Sequence, residues 1–235
     1  ADFSADAVAR QRRQMQQFQA RIDDMNVAAW DRARQVDYLA VRSRFDQYDF
    51  TLERTRPWAR DPGFYVDRML RLTFTELPVA GEALAEFTRQ LDAIPGLVGQ
   101  GRANLVDVAA DFADLAIFNL SNADGVGHGF PYRAEPPPGV LGWYDDLLGR
   151  AREQQPELVD RIQTARAAVE SFREWLVANR ADMTADAGVG KEAFDWYLKH
   201  VKLMPYTSDE IVTLGERELD RLWAMYALER HRNRN

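Results

Sequence analysis

Apolar residues recur at every third or fourth position along most of the chain, and this spacing constrains the fold more than any other feature. A sustained seam of this kind follows Pro156 and comprises Leu158, Ile162, Ala165, Val169, Phe172 and Leu176. Such spacing places one residue from each turn on the same helical face. Little of the sequence alternates with the two-residue period of a strand. We therefore predict an all-α fold, an irregular bundle of about eight to ten helices.

The segment 52–65 interrupts the helical pattern with two prolines, Pro57 and Pro62. Proline lacks a backbone donor and disfavours helix in the residue before it, so Arg56 and Asp61 should be extended or turning. We expect the charged residues of this segment to fix the turn through charge-assisted hydrogen bonds. Its aromatic residues should anchor the turn to the bundle.

Proline and capping residues also predict helix ends elsewhere. A helix that begins at Gly81 is predicted to end at Ile94, because Pro95 follows. The sequence Thr207-Ser-Asp-Glu210 fits a capping box, so the last helix is predicted to begin there.

Residues 122–139 are rich in glycine and proline. We predict that they form one long irregular loop within the helical bundle. We predict a single helical domain over residues 1–235, with possible sub-bundles at 1–121 and 140–235. Structureless loops longer than about 12–15 residues are uncommon and often act as lids or linkers. Two interpretations stay open for this loop, a functional lid and a surface excursion.

Charge and hydropathy exclude several classes of protein. The net charge is −7, and the charges are interspersed rather than gathered in a basic stripe, which argues against nucleic-acid binding. The chain has no cysteine, which excludes disulfides and thiolate metal sites. No apolar run approaches the roughly 18 residues of a membrane span. The first residue is alanine, which we interpret as a sign of processing or of a fragment.

Residues that carry catalytic chemistry are scarce. The three histidines are His128, His200 and His231, and no HExxH motif is present. The acidic residues Asp107, Asp111 and Asp114 are interpreted as a solvated edge of a helix over about 105–120. We predict no catalytic residue and no metal ligand within this chain.

Three groups of segments together resemble a known family. Their positions are 35–42 with 56–65, 90–97 with 103–105, and 190–198 with 208–211 and 214–219. In this order and spacing the chain resembles the bacterial family called domain of unknown function 885, from about residue 5 to 230. Members of that family look like zinc metallopeptidases of the gluzincin type. Their HExxH helix lies in a C-terminal half that this sequence does not include.

The resemblance implies that this chain is the N-terminal helical portion of a zinc-dependent peptidase-like hydrolase. It would wall or cap a catalytic cleft, with a peptide or amide substrate and with zinc held by the missing C-terminal catalytic half. No cofactor is expected in this chain itself. Trp196, Tyr197 and His200 are the candidate substrate-binding residues, since they follow a glycine-containing turn close to that half.

One alternative stays open beside this reading. The chain would then be a freestanding helical module for protein interaction or small-molecule binding, without catalysis. The compartment stays open between the bacterial cytoplasm and the periplasm or exterior after removal of a leader.

Overall fold

The computed structural model describes residues 2–122 and 135–234 and confirms the all-α fold. In these ranges no strand occurs, and a single parallel bridge joins Ala109 to Ala185. The long loop at 122–139 lies mostly outside the described residues, as does His128, so its interpretation as a lid stays a prediction. None of the described helices is long and apolar enough to cross a bilayer.

The helices are numbered in chain order. They are α1 Ala5–Asp23, α2 Arg32–Phe50, α3 Pro57–Arg60, α4 Gly63–Arg71, α5 Gly81–Asn104, α6 Ala110–Ser121, α7 Gly139–Gln154, α8 Val159–Asn179, α9 Lys191–His200 and α10 Ser208–Arg232.

The residues group into two units by their contacts. Unit 1 comprises Ala1–Ala9 and Arg56–Ala187, and unit 2 comprises Arg10–Thr55 and Gly188–Asn235. The prediction of one domain, with sub-bundles at 1–121 and 140–235, divides the chain differently and stays a prediction.

The main hydrophobic core lies in unit 1, where α5 and α7 pack along α8. The seam predicted from the sequence forms this contact, since its six residues are at most 2% exposed. Aromatic rings fill the same core, and Tyr65, Trp143, Tyr144 and Phe172 are all 0% exposed. Burial of these apolar side chains stabilises unit 1.

The predicted end of α5 at Ile94 is wrong, because the helix continues through Pro95 to Asn104. A proline inside a helix costs about 3 kcal/mol. Pro95 is exposed, whereas Leu91, Ile94 and Val98 on the opposite side are 1%, 3% and 4% exposed. Burying each such side chain contributes about 1.5–3 kcal/mol, so packing outweighs the proline penalty.

The proline-punctuated segment forms a fixed turn around the short helix α3. Arg56 adopts the left-handed conformation, with φ 37°, and Asp61 is extended. Both Arg56 and Arg60 pair with Asp107, and Arg60 also donates to the carbonyl of Asp186. The structural role predicted for the charged residues of this turn agrees with these contacts.

The aromatic residue Tyr65 connects the same turn to α5 within unit 1. The Tyr65 hydroxyl donates to the carbonyl of Trp58 at 2.8 Å and accepts from the Asn104 amide at 3.1 Å. The interpretation of Asp107, Asp111 and Asp114 as one solvated helix edge is wrong for Asp107, whereas Asp111 and Asp114 are exposed as predicted. Asp107 precedes α6 and neutralises the turn arginines, while Asp114 pairs with Arg180 at 2.5 Å.

Unit 2 has a smaller core than unit 1. Helix α2 packs against α9. The buried apolar residues of the described part of unit 2 are Phe50, Leu52, Leu198 and Val201. The predicted capping box at the start of α10 is confirmed, because Thr207 and Glu210 exchange both of its hydrogen bonds.

Candidate functional site

A cavity of about 670 Å³ opens in unit 2 between the end of α2 and the start of α9. We call it the aromatic–acidic pocket. The residues that line it include Asp49, Phe50, Glu53, Arg54, Glu192 and Trp196. Its volume lies within the range of ligand sites, about 300–1,000 Å³.

A turn of π-helix shapes one wall of the pocket. Helix α2 ends at Phe50 and passes directly into the π-helical turn Thr51–Thr55, which carries Glu53 and Arg54. The Thr51 hydroxyl donates to the carbonyl of Gln47 at 2.9 Å and stabilises the junction. Single π-helical turns are rare in proteins as a whole, but those that occur are often found at functional sites. The extra residue in such a turn changes the direction of the side chains that follow it.

Aromatic rings form the other wall. Trp196 stacks with Phe50, with ring centroids 6.1 Å apart and planes 5° apart. His200 stacks with the same indole at 4.7 Å, and Tyr197 packs against Phe50 at 4.9 Å. The structure thus brings the three predicted substrate-binding residues into one aromatic group, in which Trp196 lines the cavity.

Sequence reasoning missed Phe50 and the carboxylates of the pocket. No role was predicted for Phe50, Asp49 or Glu53. The one signal available was the acidic, arginine-rich run at the end of that helix, which comes just before the prolines. A π-helical turn has no sequence signature that distinguishes it from the end of an α-helix.

Negative charge dominates the pocket. Asp49, Glu53 and Glu192 contribute carboxylates, and Arg54 contributes one cation. Glu53 also pairs with Arg12 of α1 at 2.8 Å. Burial raises the pKa of Asp49, and the neighbouring Glu53 adds to this rise, whereas Arg12 and Arg54 oppose it. Carboxylates beside an indole ring suit a positively charged group, which is attracted by both.

Asp49→Asn is expected to raise the free energy of unfolding at neutral pH, because it removes a charge that burial disfavours. The folded pKa lies above the unfolded value of about 3.9, so the ionised carboxylate costs stability above the folded pKa. Below the unfolded pKa both states are protonated and the cost disappears.

Urea unfolding at pH 7 and at about pH 3 measures both parts of this expectation. Glu192→Gln is the control, since this carboxylate is exposed and its replacement should leave stability nearly unchanged. A loss of stability in Asp49→Asn at pH 7, or a gain that persists at the lower pH, would contradict the assignment.

The described residues contain no group of three histidine, aspartate or glutamate side chains placed to hold a metal ion. The aromatic and acidic lining of the aromatic–acidic pocket can bind and orient a positively charged ligand. His200 lies beside Trp196 and near Asp46, whose pKa is raised chiefly by burial.

This chain matches the model of a known protein family. The family model described as "Bacterial protein of unknown function (DUF885)" matches residues 1–232. Comparison with curated proteins gave no match.

One solved structure has a similar fold. It is "a putative lipoprotein of unknown function" from Shewanella oneidensis, with a TM-score of 0.69 at 15% sequence identity. The similarity covers 93% of this chain and 39% of that protein, so the chain spans well under half of its relative's length. At this identity the likeness concerns the fold.

Proposed function

The chain belongs to the DUF885 family of bacterial proteins of unknown function, and from that membership we propose that it is the N-terminal helical portion of a zinc-dependent peptidase-like hydrolase. In this proposal it walls or caps a catalytic cleft, and the HExxH metal site lies outside residues 1–235. Zinc-activated water would attack the amide carbonyl, with a glutamate base also outside this chain.

The structural observation that supports a further part of the polypeptide beside this chain is the exposed apolar surface of α10. Across its 25 residues no side chain is buried. Eight large apolar residues on it are at least 44% exposed: Val212, Leu214, Leu219, Leu222, Trp223, Met225, Tyr226 and Leu228. Exposed apolar patches of this extent mark interaction surfaces.

Geometry indicates what covers this surface. At 100° per residue, most of the apolar side chains of α10 span an arc of about 180°. A helix on a protein surface needs an apolar stripe of little more than about 100°. The wider arc of α10 suits contact with more than one neighbouring element. Because the solved relative is much longer than this chain, we assign that contact to a further part of the same polypeptide.

Within this proposal the aromatic–acidic pocket is a substrate subsite, with Trp196, Tyr197 and His200 on its α9 side. Helix α9 is connected to the start of α10 by two contacts, since Asp195 accepts from the backbone of Ser208 at 2.7 Å and Lys191 pairs with Asp209. A subsite on α9 would therefore lie close in the chain to the surface that meets the catalytic half.

The alternative function, a freestanding interaction or small-molecule-binding module, is favoured by the pocket taken alone. The coding sequence beyond Asn235 separates the two. An HExxH motif within the next few hundred codons supports the hydrolase, and a stop codon directly after Asn235 favours the freestanding module.

Trp196→Ala in the natural-length protein is expected to lower kcat/KM by about tenfold, because an aromatic contact with a charged group contributes about 1–2 kcal/mol. Steady-state kinetics with a panel of short peptides measures this effect. Phe118→Ala is the control, since this ring is 41% exposed on α6 in unit 1. Unchanged kinetics together with unchanged stability in Trp196→Ala would remove Trp196 from the subsite.

A further inference from the structure

A second cavity, of about 550 Å³, lies in unit 1 between the N-terminal residues, α4 and α5. We call it the arginine pocket. The residues that line it include Phe3, Arg68, Arg71, Leu72, Ile94 and Leu97. None of these residues takes part in the aromatic–acidic pocket or in the surface of α10.

Arg68 is held rigidly at this pocket. Its guanidinium lies 3.5 Å from the centre of the Phe64 ring and 5.0 Å from that of Phe3. It also donates a hydrogen bond to the carbonyl of Phe64. The two rings contact each other edge to face at 4.7 Å, which fixes the cage around the cation. The side chain is therefore positioned before any ligand arrives, which reduces the entropy lost on binding.

Arg68 and Arg71 lack carboxylate partners within 4.0 Å in the part of the chain that the structure describes. Arg68 is half-buried, and two half-buried arginines elsewhere do have such partners, since Arg150 pairs with Asp146 and Arg166 with Asp145. Burial, and then the like charge of Arg71, lower the pKa of Arg68, although Asp67 opposes this. A partly desolvated cation without a counterion is costly, and an anion bound beside it offsets that cost.

The floor of the pocket is apolar. Ile94 is 3% exposed and Leu72 is 8% exposed, and Leu97 continues the same surface along α5. This arrangement places two cations at the edge of a hydrophobic concavity, in a chain whose net charge is −7. A ligand that matches it has an anionic head and an apolar body.

We propose that the arginine pocket binds a small anionic amphiphile. Its carboxylate or phosphate head pairs with Arg68 and Arg71, and its apolar chain lies over Leu72, Ile94 and Leu97. This inference is independent of the proposed hydrolase function, since it concerns a different unit and a different set of residues.

The test is calorimetric titration of the 235-residue chain with decanoate, decyl phosphate, decanol and inorganic phosphate, each below its aggregation concentration. Decanoate and decyl phosphate should bind at one equivalent, about tenfold or more tightly than decanol, because a charge-assisted pair forms. Whichever of the two binds more tightly identifies the head group, and inorganic phosphate alone should bind more weakly than either.

Two variants locate the binding. Arg68→Gln and Arg71→Gln should each weaken decanoate binding by about tenfold. Arg152→Gln on α7 is the control and should leave it unchanged, since Arg152 is exposed and outside the pocket. Arg71 is also exposed, so its replacement tests the pocket without disturbing the Arg68 cage.

Equal affinity for decanoate and decanol would overturn the proposal, and so would binding that neither arginine variant changes. Binding of inorganic phosphate as tight as that of decyl phosphate would also overturn it, because the apolar floor would then contribute nothing.

Discussion

Replacing Leu222 and Tyr226 on α10 together with serine is expected to cost several kcal/mol in the natural-length protein and almost nothing in the 235-residue chain. In this chain the two side chains are 49% and 56% exposed, so their loss should change the free energy of unfolding by within about 0.5 kcal/mol. In the natural-length protein, where a further part of the polypeptide is proposed to cover α10, each replacement removes buried contacts that contribute about 2–4 kcal/mol.

Urea unfolding of the same double variant in both lengths of protein measures the difference. Glu216→Ser with Asp220→Ser is the matched control on the polar side of α10, and it should have a small effect in both. A small effect of the apolar double variant in both lengths would mean that α10 stays exposed and that no part of the polypeptide covers it.

Phe172→Ala is expected to lower the free energy of unfolding of unit 1 by about 3–5 kcal/mol, because a large buried ring leaves a cavity. Phe172 is 0% exposed at the centre of the α8 seam, and its ring contacts those of Tyr65 and Trp175 at 6.2 and 6.0 Å. A loss of this size would be a large part of the total stability of a typical domain.

Val177→Ala provides the control for this prediction, because it lies on the same helix and is 51% exposed. Its loss should stay within about 0.5 kcal/mol. Denaturant unfolding followed by circular dichroism compares the two. Similar small losses in both variants would contradict the assignment of the α8 seam as the core of unit 1.

The parts of the fold that the sequence predicted are those where local and tertiary preferences agree. The spacing of the seam from Leu158 to Leu176 predicts helix and its apolar composition predicts burial, and the structure confirms both predictions. The capping box at Thr207 depends on residues three apart, so no distant contact was needed to predict it.

Predictions failed where tertiary contacts decide the outcome. Pro95 reads as a helix end, but the apolar residues on either side of it are buried and keep α5 continuous. Asp107 reads as a solvated acid, but it meets Arg56 and Arg60 across a sequence separation of about 50 residues. Local spacing carries no information on such pairs.

Only the part of the candidate site that lies on one helix could be predicted from the sequence. Trp196 and His200 are four residues apart on α9, so their stacking follows from helical spacing. Their partner Phe50 and the carboxylate of Asp49 come from α2, and that of Glu53 comes from the π-helical turn after it. These residues are far from Trp196 in sequence, and only the folded chain brings them to it.

The zinc content of the natural-length protein, measured beside that of the 235-residue chain, tests the proposed function most directly. The account predicts about one zinc ion per natural-length chain, removable by chelation with loss of peptide hydrolysis, and no stoichiometric zinc in residues 1–235. Tight zinc binding by the 235-residue chain alone, or a natural-length protein that neither holds zinc nor hydrolyses peptides, would contradict it.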